Sequence, residues 1–250
     1  MQSLKDQHAI VTGGATGIGL AITKSLASAG VRVTIASRDI ERASLVAAKL
    51  DSVTAAHLDV ADPESIVAAF DAAGPVDILV NNAGIAHAAP FDRTTLEQWT
   101  DLIAVNLTGT FLCTQAALKS MRERGSGRII NIASTAGLKG YAYTSAYTAS
   151  KHGVVGMTRS LALELASTGI TVNSVCPGFT DTDIVADAVA NIQSKTGRSE
   201  EEALAELVKH NPQGRLISPA EVAHTVLWLC QNSSCSITGQ AIVVAGGEIM

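Results

Sequence analysis

Seven short apolar runs alternate with stretches of helical period, and this alternation restricts the chain to a parallel sheet covered by helices on both faces. The runs fall at residues 8–12, 31–36, 54–60, 76–80, 128–133, 170–175 and 241–244. Helical stretches lie at 18–29, 40–50, 96–106, 109–124, 146–167 and 219–231. Gly30 supplies a helix stop, and Pro63 opens the helix after the third strand. Hydrophobic residues make up 47% of the 250 residues, yet aromatics only 4%. Small and branched side chains of this kind suit helices packed closely on a parallel sheet. No linker, repeat or low-complexity segment divides the chain, so residues 1–250 are expected to form one α/β domain.

One segment departs from the tight alternation. Residues 179–218 are polar and helix-rich and interrupt the last crossover. Ser199 and Glu202 make a capping box there. The expectation is a substrate lid; a solvated helix pair is the alternative.

Composition excludes several function classes. The formal net charge is −5 with no long basic run, which argues against a nucleic-acid partner. The N-terminus lacks the layout of a signal peptide, and no apolar run is long enough to span a bilayer. Cys113, Cys176, Cys230 and Cys235 are irregularly spaced and offer neither a metal-ligand pattern nor a disulfide framework. Cys113 and Cys176 read as buried, inert thiols. A reduced, cytoplasmic protein without a metal is expected.

Chemistry concentrates in three places. Thr12-Gly13-Gly14-Ala15-Thr16-Gly17-Ile18-Gly19 follows the first strand and opens the first helix. Glycines there let backbone approach a pyrophosphate, and the helix N-terminus presents N–H groups to it. At the end of the second strand stands Ala36-Ser37-Arg38-Asp39. An acid at this point would bind the ribose of NAD, whereas an Arg would meet the 2′-phosphate of NADP. Ser37 occupies the expected acid position and Arg38 follows, so NADP(H) is favoured. NAD(H) stays open, because Asp39 could serve a ribose or cap the next helix. Finally, Tyr147 and Lys151 stand four apart, on one helix face, with Ser134 thirteen residues upstream of Tyr147. A cation beside a phenol favours phenolate and lowers its pKa. A hydroxyl aimed at the same point can hold a carbonyl oxygen while Tyr147 protonates it.

Taken in order, the Gly13 motif, Asp59-Val60, Asn81-Asn82-Ala83-Gly84, Asn106, Ser134, Tyr147 with Lys151, and Pro177-Gly178 resemble the classical short-chain dehydrogenase/reductase family over essentially the whole length. The resemblance implies a single-domain Rossmann-type fold, a doubly wound parallel sheet of about seven strands. It implies that Asp59 and Val60 meet the adenine, and that the backbone of Asn82, Ala83 and Gly84 lies along the ribose. It makes Tyr147 the proton donor, Ser134 the partner of the substrate oxygen, and Lys151 the holder of the nicotinamide ribose. Asn106 would support a water chain behind Lys151, while Thr180 and Thr182 would meet the carboxamide beyond Pro177-Gly178. It also suggests a homotetramer built on the helices at 109–124 and 146–167.

Two departures stand out. Ala15 and Thr16 occupy positions where many NADP-using relatives carry a basic residue, and Ala245-Gly246-Gly247 replaces Asp-Gly-Gly. Around the catalytic residues the chain is similar to two neighbouring groups, the polyketide and 3-oxoacyl-thioester ketoreductases and the 3-hydroxybutyrate and 3-hydroxyacyl-CoA dehydrogenases. The expected reaction is hydride transfer between NADP(H) and a carbonyl or secondary alcohol, with an NAD-linked 3-hydroxyacyl oxidation as the enzymatic alternative. A non-catalytic, cofactor-sensing protein is the alternative from another class. The substrate wall is expected from Ala136, Leu138, Tyr141, Phe179, Ile184 and Val185, with Tyr141 and Tyr143 as polar groups. Arg122, Arg124 and Arg128 are the candidates for a basic entrance facing an acidic carrier protein. The chain is otherwise expected to take a CoA thioester or small free carbonyl compound.

Overall fold

The computed structural model describes residues 4–250. Seven strands form one sheet in the order β3-β2-β1-β4-β5-β6-β7, and every neighbouring pair is parallel. They are β1 (His8–Thr12), β2 (Arg32–Ser37), β3 (Val53–His57), β4 (Ile78–Asn81), β5 (Gly127–Ile132), β6 (Ile170–Pro177) and β7 (Ala241–Val244). All seven expected strands are present. The third ends at His57, three residues short of the expected Val60. Asp59 turns back there, its Oδ1 accepting from Ala61 N–H at 2.9 Å. Asp59 and Val60 thus sit beyond the strand end, on the ligand side of the sheet.

Parallel strands require crossovers, and the helices divide between the two faces. On one face α1 (Gly17–Ser28) and α9 (Pro219–Cys230) pack together. Ile22, Leu26, Val222, Val226 and Leu229 there are fully buried. On the other face α3 (Pro63–Ala73), α5 (Gly109–Arg124) and α6 (Ser145–Leu165) bury Ile66, Met121 and Leu165 against β4, β5 and β6. Burying each such side chain contributes about 1.5–3 kcal/mol. α2 (Ile40–Ala47) covers β2 and β3.

The helices expected at 96–106 and 109–124 are one continuous rod. α4 (Leu96–Ile103) runs into a π-helical turn, Ala104–Thr108, and then into α5. The extra residue in that turn swings Asn106 inward, where its side chain bonds Ile85 and Ser150. The joined span Leu96–Arg124 has 29 residues and a window of mean hydropathy 1.2, so by length and composition alone it could cross a membrane. The reading that no apolar run is long enough for this treated it as two helices. Part of the span is packed in this structure, with Cys113, Ala117 and Met121 buried against the sheet and 39% of the apolar window buried.

Residues 179–218 carry α7 (Asp183–Thr196) and α8 (Glu200–Val208). The expected Ser199–Glu202 capping box is present. The pair has a small core of its own, made by Val185, Val189, Ala203 and Leu207 with Phe179 and Leu216 against it. A parallel bridge between Thr180 and Ile217 closes its neck. This is more than a solvated pair, because two helices and their neck share one apolar centre.

Candidate active site

Strand order reverses between β1 and β4, and ligands of open α/β sheets bind outside the C-terminal strand ends at such a point. The two ends are clamped together. Thr12 Oγ1 accepts from the N–H groups of Asn82 and Ala83, at 2.9 and 3.0 Å. In return Asn82 Nδ2 donates to the carbonyls of Thr12 and Gly13. Gly13 has a left-handed backbone, φ +64°, and a side chain there would sit 3.1 Å from Asn82. At Gly19 a Cβ would fall 2.2 Å from the Gly13 carbonyl, so only glycine lets α1 start this close to the turn.

A cavity of about 600 Å³ opens beside this turn. Gly13, Thr16, Ser37, Arg38, Asp59, Val60, Ala83 and Gly84 line it, as expected from the sequence. Asp39, the alternative ribose ligand, lines it as well, and Ala15, Arg42, Ile85 and Val105 line it without having been anticipated. Arg42 was legible in principle, four residues after Arg38 on the helix that follows. Asp39 caps that helix, its Oδ1 accepting from Arg42 N–H at 2.9 Å, and Ser37 Oγ accepts from Asp39 N–H. The cap satisfies one Asp39 oxygen locally, while the Arg38 side chain is exposed at the rim. Across the mouth, Arg42 reaches Asp183 at 4.0 Å.

Thr182 comes close to the turn from the far side, since a Cβ at Gly17 would lie 3.1 Å from Thr182 Cγ2. Thr182 Oγ1 donates to Thr180 O, and Thr180 Oγ1 to Gly178 O. Pro177 ends β6 in register with Val244. The residues expected to enclose a dinucleotide therefore surround one crevice: the Gly13–Gly19 turn with Ile18, the end of β2, the β4 loop, and Pro177 to Thr182.

Ser134, Tyr147 and Lys151 meet further along the strand ends. Ser134 follows β5 and its Oγ accepts from Ala136 N–H at 3.1 Å. Tyr147 and Lys151 lie on the first turns of α6. Lys151 Nζ is buried, donates to Ile132 O at 2.9 Å, and stands 5.7 Å from the centre of the Tyr147 ring. Burial pushes the Tyr147 phenol up, while a hydrogen bond with Ser134 works against that rise. Lys151 was expected to lower this pKa. In this structure its ammonium is turned to the Ile132 carbonyl, and it is not among the influences on Tyr147. Lys151 itself is lowered to about 8 by burial, a nearby Cys176 thiol opposing the shift.

Asn106 ties parts of the site together. Its Oδ1 accepts from Ile85 N–H, and its Nδ2 donates to Ile85 O and Ser150 Oγ. Ser150 Oγ donates in turn to the carbonyl of Tyr147. The side chain is fully engaged in pinning the β4 loop to the first turn of α6. It still borders Lys151, because a Cβ on Gly84 would lie 3.1 Å from Asn106 Oδ1 and 3.6 Å from Lys151 Nζ.

The expected substrate wall is divided. Tyr141 stands edge-on to Phe179 at 6.0 Å. Leu138 packs with Ala133, Val154 and Cys176. Ala136 is buried, Ile184 is exposed, and Val185 faces the α7–α8 core. Tyr143 is exposed. His210, stacked on Phe179 at 5.8 Å, and Glu248, bonded to Tyr141, were missed. No spacing in the sequence connects either to the site.

The basic entrance is not where the sequence suggested. Arg128 is buried at the start of β5, donating to Gly127 O, Gly169 O and Asn232 Oδ1. Arg124 pairs with Asp77 at 3.2 Å, and Arg122 with Glu164 at 2.6 Å. Arg128 and Arg124 serve the N-terminal edge of the sheet, opposite the crevice. Three thiols are buried, and burial raises those of Cys113 and Cys230 to about 12. Cys235 is exposed.

With this geometry in place, likeness to known proteins decides the family. The sequence profile described as short chain dehydrogenase matches residues 7–193. The chain belongs to the short-chain dehydrogenase family. A putative ketoacyl reductase from Streptomyces coelicolor is 42% identical, over 99% of this chain and 98% of that protein. A D-beta-hydroxybutyrate dehydrogenase from Rhizobium meliloti is 38% identical, over 96% and 97%. A solved structure of a variant actinorhodin polyketide ketoreductase with NADPH superposes with a TM-score of 0.94 at 40% identity, covering 99% of each chain. This short-chain dehydrogenase is accordingly an oxidoreductase acting at a CH–OH group or ketone.

The buried ammonium has a measurable consequence. Lys151 has a folded pKa of about 8, below its ordinary value of 10.5 in water. Between those values the unfolded chain holds more protons, so stability rises with pH through that window. Below pH 8 burial of the charge opposes folding by an amount on the order of a few kcal/mol. The Lys151→Met chain loses one hydrogen bond, about 1 kcal/mol, and escapes that penalty. It should match or exceed the wild-type unfolding free energy at pH 7 and lose the advantage by pH 10. Urea denaturation at the two pH values checks this. A variant clearly less stable at pH 7 would contradict it.

Proposed function

We propose that this enzyme reduces the carbonyl of a 3-oxoacyl thioester or related ketone with NADPH, or runs the reverse oxidation. One observation carries the reading. Ser134, Tyr147 and Lys151 converge at the strand ends beside a cavity whose rim bears two guanidinium groups, Arg38 and Arg42. The residues fit a phosphorylated dinucleotide. The glycine turn leaves room where a Cβ would collide, and the α1 N-terminus suits a pyrophosphate. Arg38, with Arg42 behind it, suits a 2′-phosphate. An Asp39 oxygen already engaged in capping is less available to a ribose diol. NADP(H) is thus preferred to NAD(H), in keeping with the NADPH named for the similar ketoreductase structure.

When bound, the nicotinamide supplies the hydride for the carbonyl carbon. Ser134 holds the carbonyl oxygen, and Tyr147 gives it a proton. The raised pKa of Tyr147 keeps the phenol protonated at neutral pH, the form that reduction requires. Lys151 anchors the nicotinamide ribose. Asn106 acts behind them, through Ser150, by fixing the carbonyl end of the Tyr147 turn. The α7–α8 segment covers the substrate end as a lid, with Phe179 at its neck.

Tyr147→Phe should remove nearly all turnover, a loss of at least about a hundredfold, while NADPH affinity stays within about twofold. Steady-state kinetics and NADPH fluorescence titration measure the two; unchanged turnover would overturn the proton-donor role. Arg38→Ala should weaken NADPH by about tenfold or more, the scale of one charge-assisted contact, and leave NADH little changed. Equal losses for both cofactors would remove the phosphate role.

The same reading includes a homotetramer. α5 and α6 carry exposed Phe111 and Leu163 on their outer surface. A second copy of the chain would cover both by pairing these helices. Light scattering should then give four times the 25.8 kDa chain mass, and a monomer would reject the assembly.

A further inference from the structure

The last residues of the chain complete the substrate wall with a buried charge. After β7 the backbone turns through Gly246 and Gly247, at φ +60° and +95°, and brings Glu248 inward. The Glu248 side chain is 1% exposed. Its Oε1 accepts from the Tyr141 hydroxyl and from Lys139 Nζ at 3.0 Å. Its Oε2 has no partner and lies beside Gly178, where a Cβ would be 3.0 Å away. Lys139 Nζ also stands 4.8 Å above the Tyr141 ring. The Tyr141 oxygen is 2.6 Å from Thr135 Oγ1, on the residue next to Ser134. Phe179 and His210 enclose the same ring.

A carboxylate this deeply buried needs a compensating cation, and removing the cation leaves a costly lone charge. Lys139 is the one ion-pair partner of Glu248 among the described residues. Lys139 is itself 37% exposed, but its charge is committed to the buried Glu248. An anionic substrate would face Glu248 directly, or would have to draw Lys139 away from it.

We infer that Glu248 sets the charge preference of the substrate site: by holding Lys139 it selects uncharged 3-oxo carbonyl compounds against 3-oxo carboxylates. The inference rests on the carbonyl-reductase reading and on Tyr141 facing the substrate. It separates the thioester-using relatives the sequence resembles from the 3-hydroxybutyrate dehydrogenases by a single physical property, the charge carried two carbons from the reacting carbonyl.

Acetoacetamide and acetoacetate test it, because they have nearly the same shape and differ in charge. With NADPH, the wild-type enzyme should show kcat/KM at least about tenfold higher for the amide, as expected where like charges face each other. Glu248→Gln releases Lys139 and should move the acetoacetate-to-acetoacetamide ratio up by at least about tenfold, chiefly through KM for acetoacetate. Adding Lys139→Met should return the ratio toward wild type. Competition of the two probes against another reduced ketone gives the same comparison in the wild-type holoenzyme, without any variant. Equal wild-type preference, an unmoved ratio in Glu248→Gln, or a gain that survives loss of Lys139 overturns the inference and leaves the reductase reading standing. Failure to turn over any 3-oxo compound with either cofactor overturns both.

Discussion

The reversal of strand order between β1 and β4 is the constraint on which the rest depends. Helices leave the two strands toward opposite sides, so no helix covers the gap between their ends. Backbone polar groups exposed in that gap must find partners without closing it. The Thr12 and Asn82 side chains solve this with four hydrogen bonds across the two strand ends, two of them between Thr12 and Asn82 and one each to Ala83 N–H and the Gly13 carbonyl. The clamp uses side-chain length as a spacer, which keeps the crevice open and its walls rigid. Thr16, the N-cap of α1, makes no side-chain cap hydrogen bond to the first N–H groups of that helix. Glycine is demanded at Gly13 and Gly19 because the turn has to pass within contact distance of the clamp itself.

The second half of the site is held by a defect in a helix. A regular α-helix from Leu96 to Arg124 would place position 106 on a different face. The π turn carries its amide into the protein, where three bonds link the β4 loop, the rod and α6. A helix distortion has a cost, and here it is offset by satisfying every donor and acceptor of a fully buried amide. The bond through Ser150 fixes the turn that carries Tyr147, so the distortion sets where the phenol points. Lys151, one turn on, is kept in a dry environment that depresses its pKa. Stability is thus spent at two neighbouring residues, and both border the place where chemistry is expected. Strain and buried charge of this kind gather where a fold is shaped by activity rather than by packing alone.

The sheet and its order of elements were legible because parallel strands buried on both faces write themselves as apolar runs. Local chemistry was legible where it depends on sequence neighbours: the Ser199 capping box, the glycine turn, and Tyr147 with Lys151 on one helix face. The π turn was not, since nothing in Ala104–Thr108 signals an extra residue, and the segment reads as the end of one helix and the start of another. Arg128 shows the opposite failure. An arginine before a hydrophobic run looks like surface charge, yet it lies buried under three acceptors contributed by residues 127, 169 and 232. Glu248 lies 107 residues beyond Tyr141 in the chain, and only the fold brings the two together.

Charge is arranged in opposite ways at the two ends of the site. At the adenosine end, Arg38 and Arg42 are exposed, with Arg42 reaching only a loose contact to Asp183, so both remain free to meet an incoming phosphate. At the substrate end, the single lysine beside Tyr141 is engaged by a carboxylate that is itself out of water. An exposed cation keeps its hydration and exchanges partners at little cost, whereas Lys139, 37% exposed, cannot leave Glu248 without stranding a buried carboxylate. In the proposed function the first arrangement would recognise an anion and the second would refuse one. The proposed pairing of a phosphorylated cofactor with an uncharged carbonyl is the combination these two environments would admit together. The difference comes from burial of the acid, Glu248 being 1% exposed and Asp183 80%, since both ends pair a basic group with an acid.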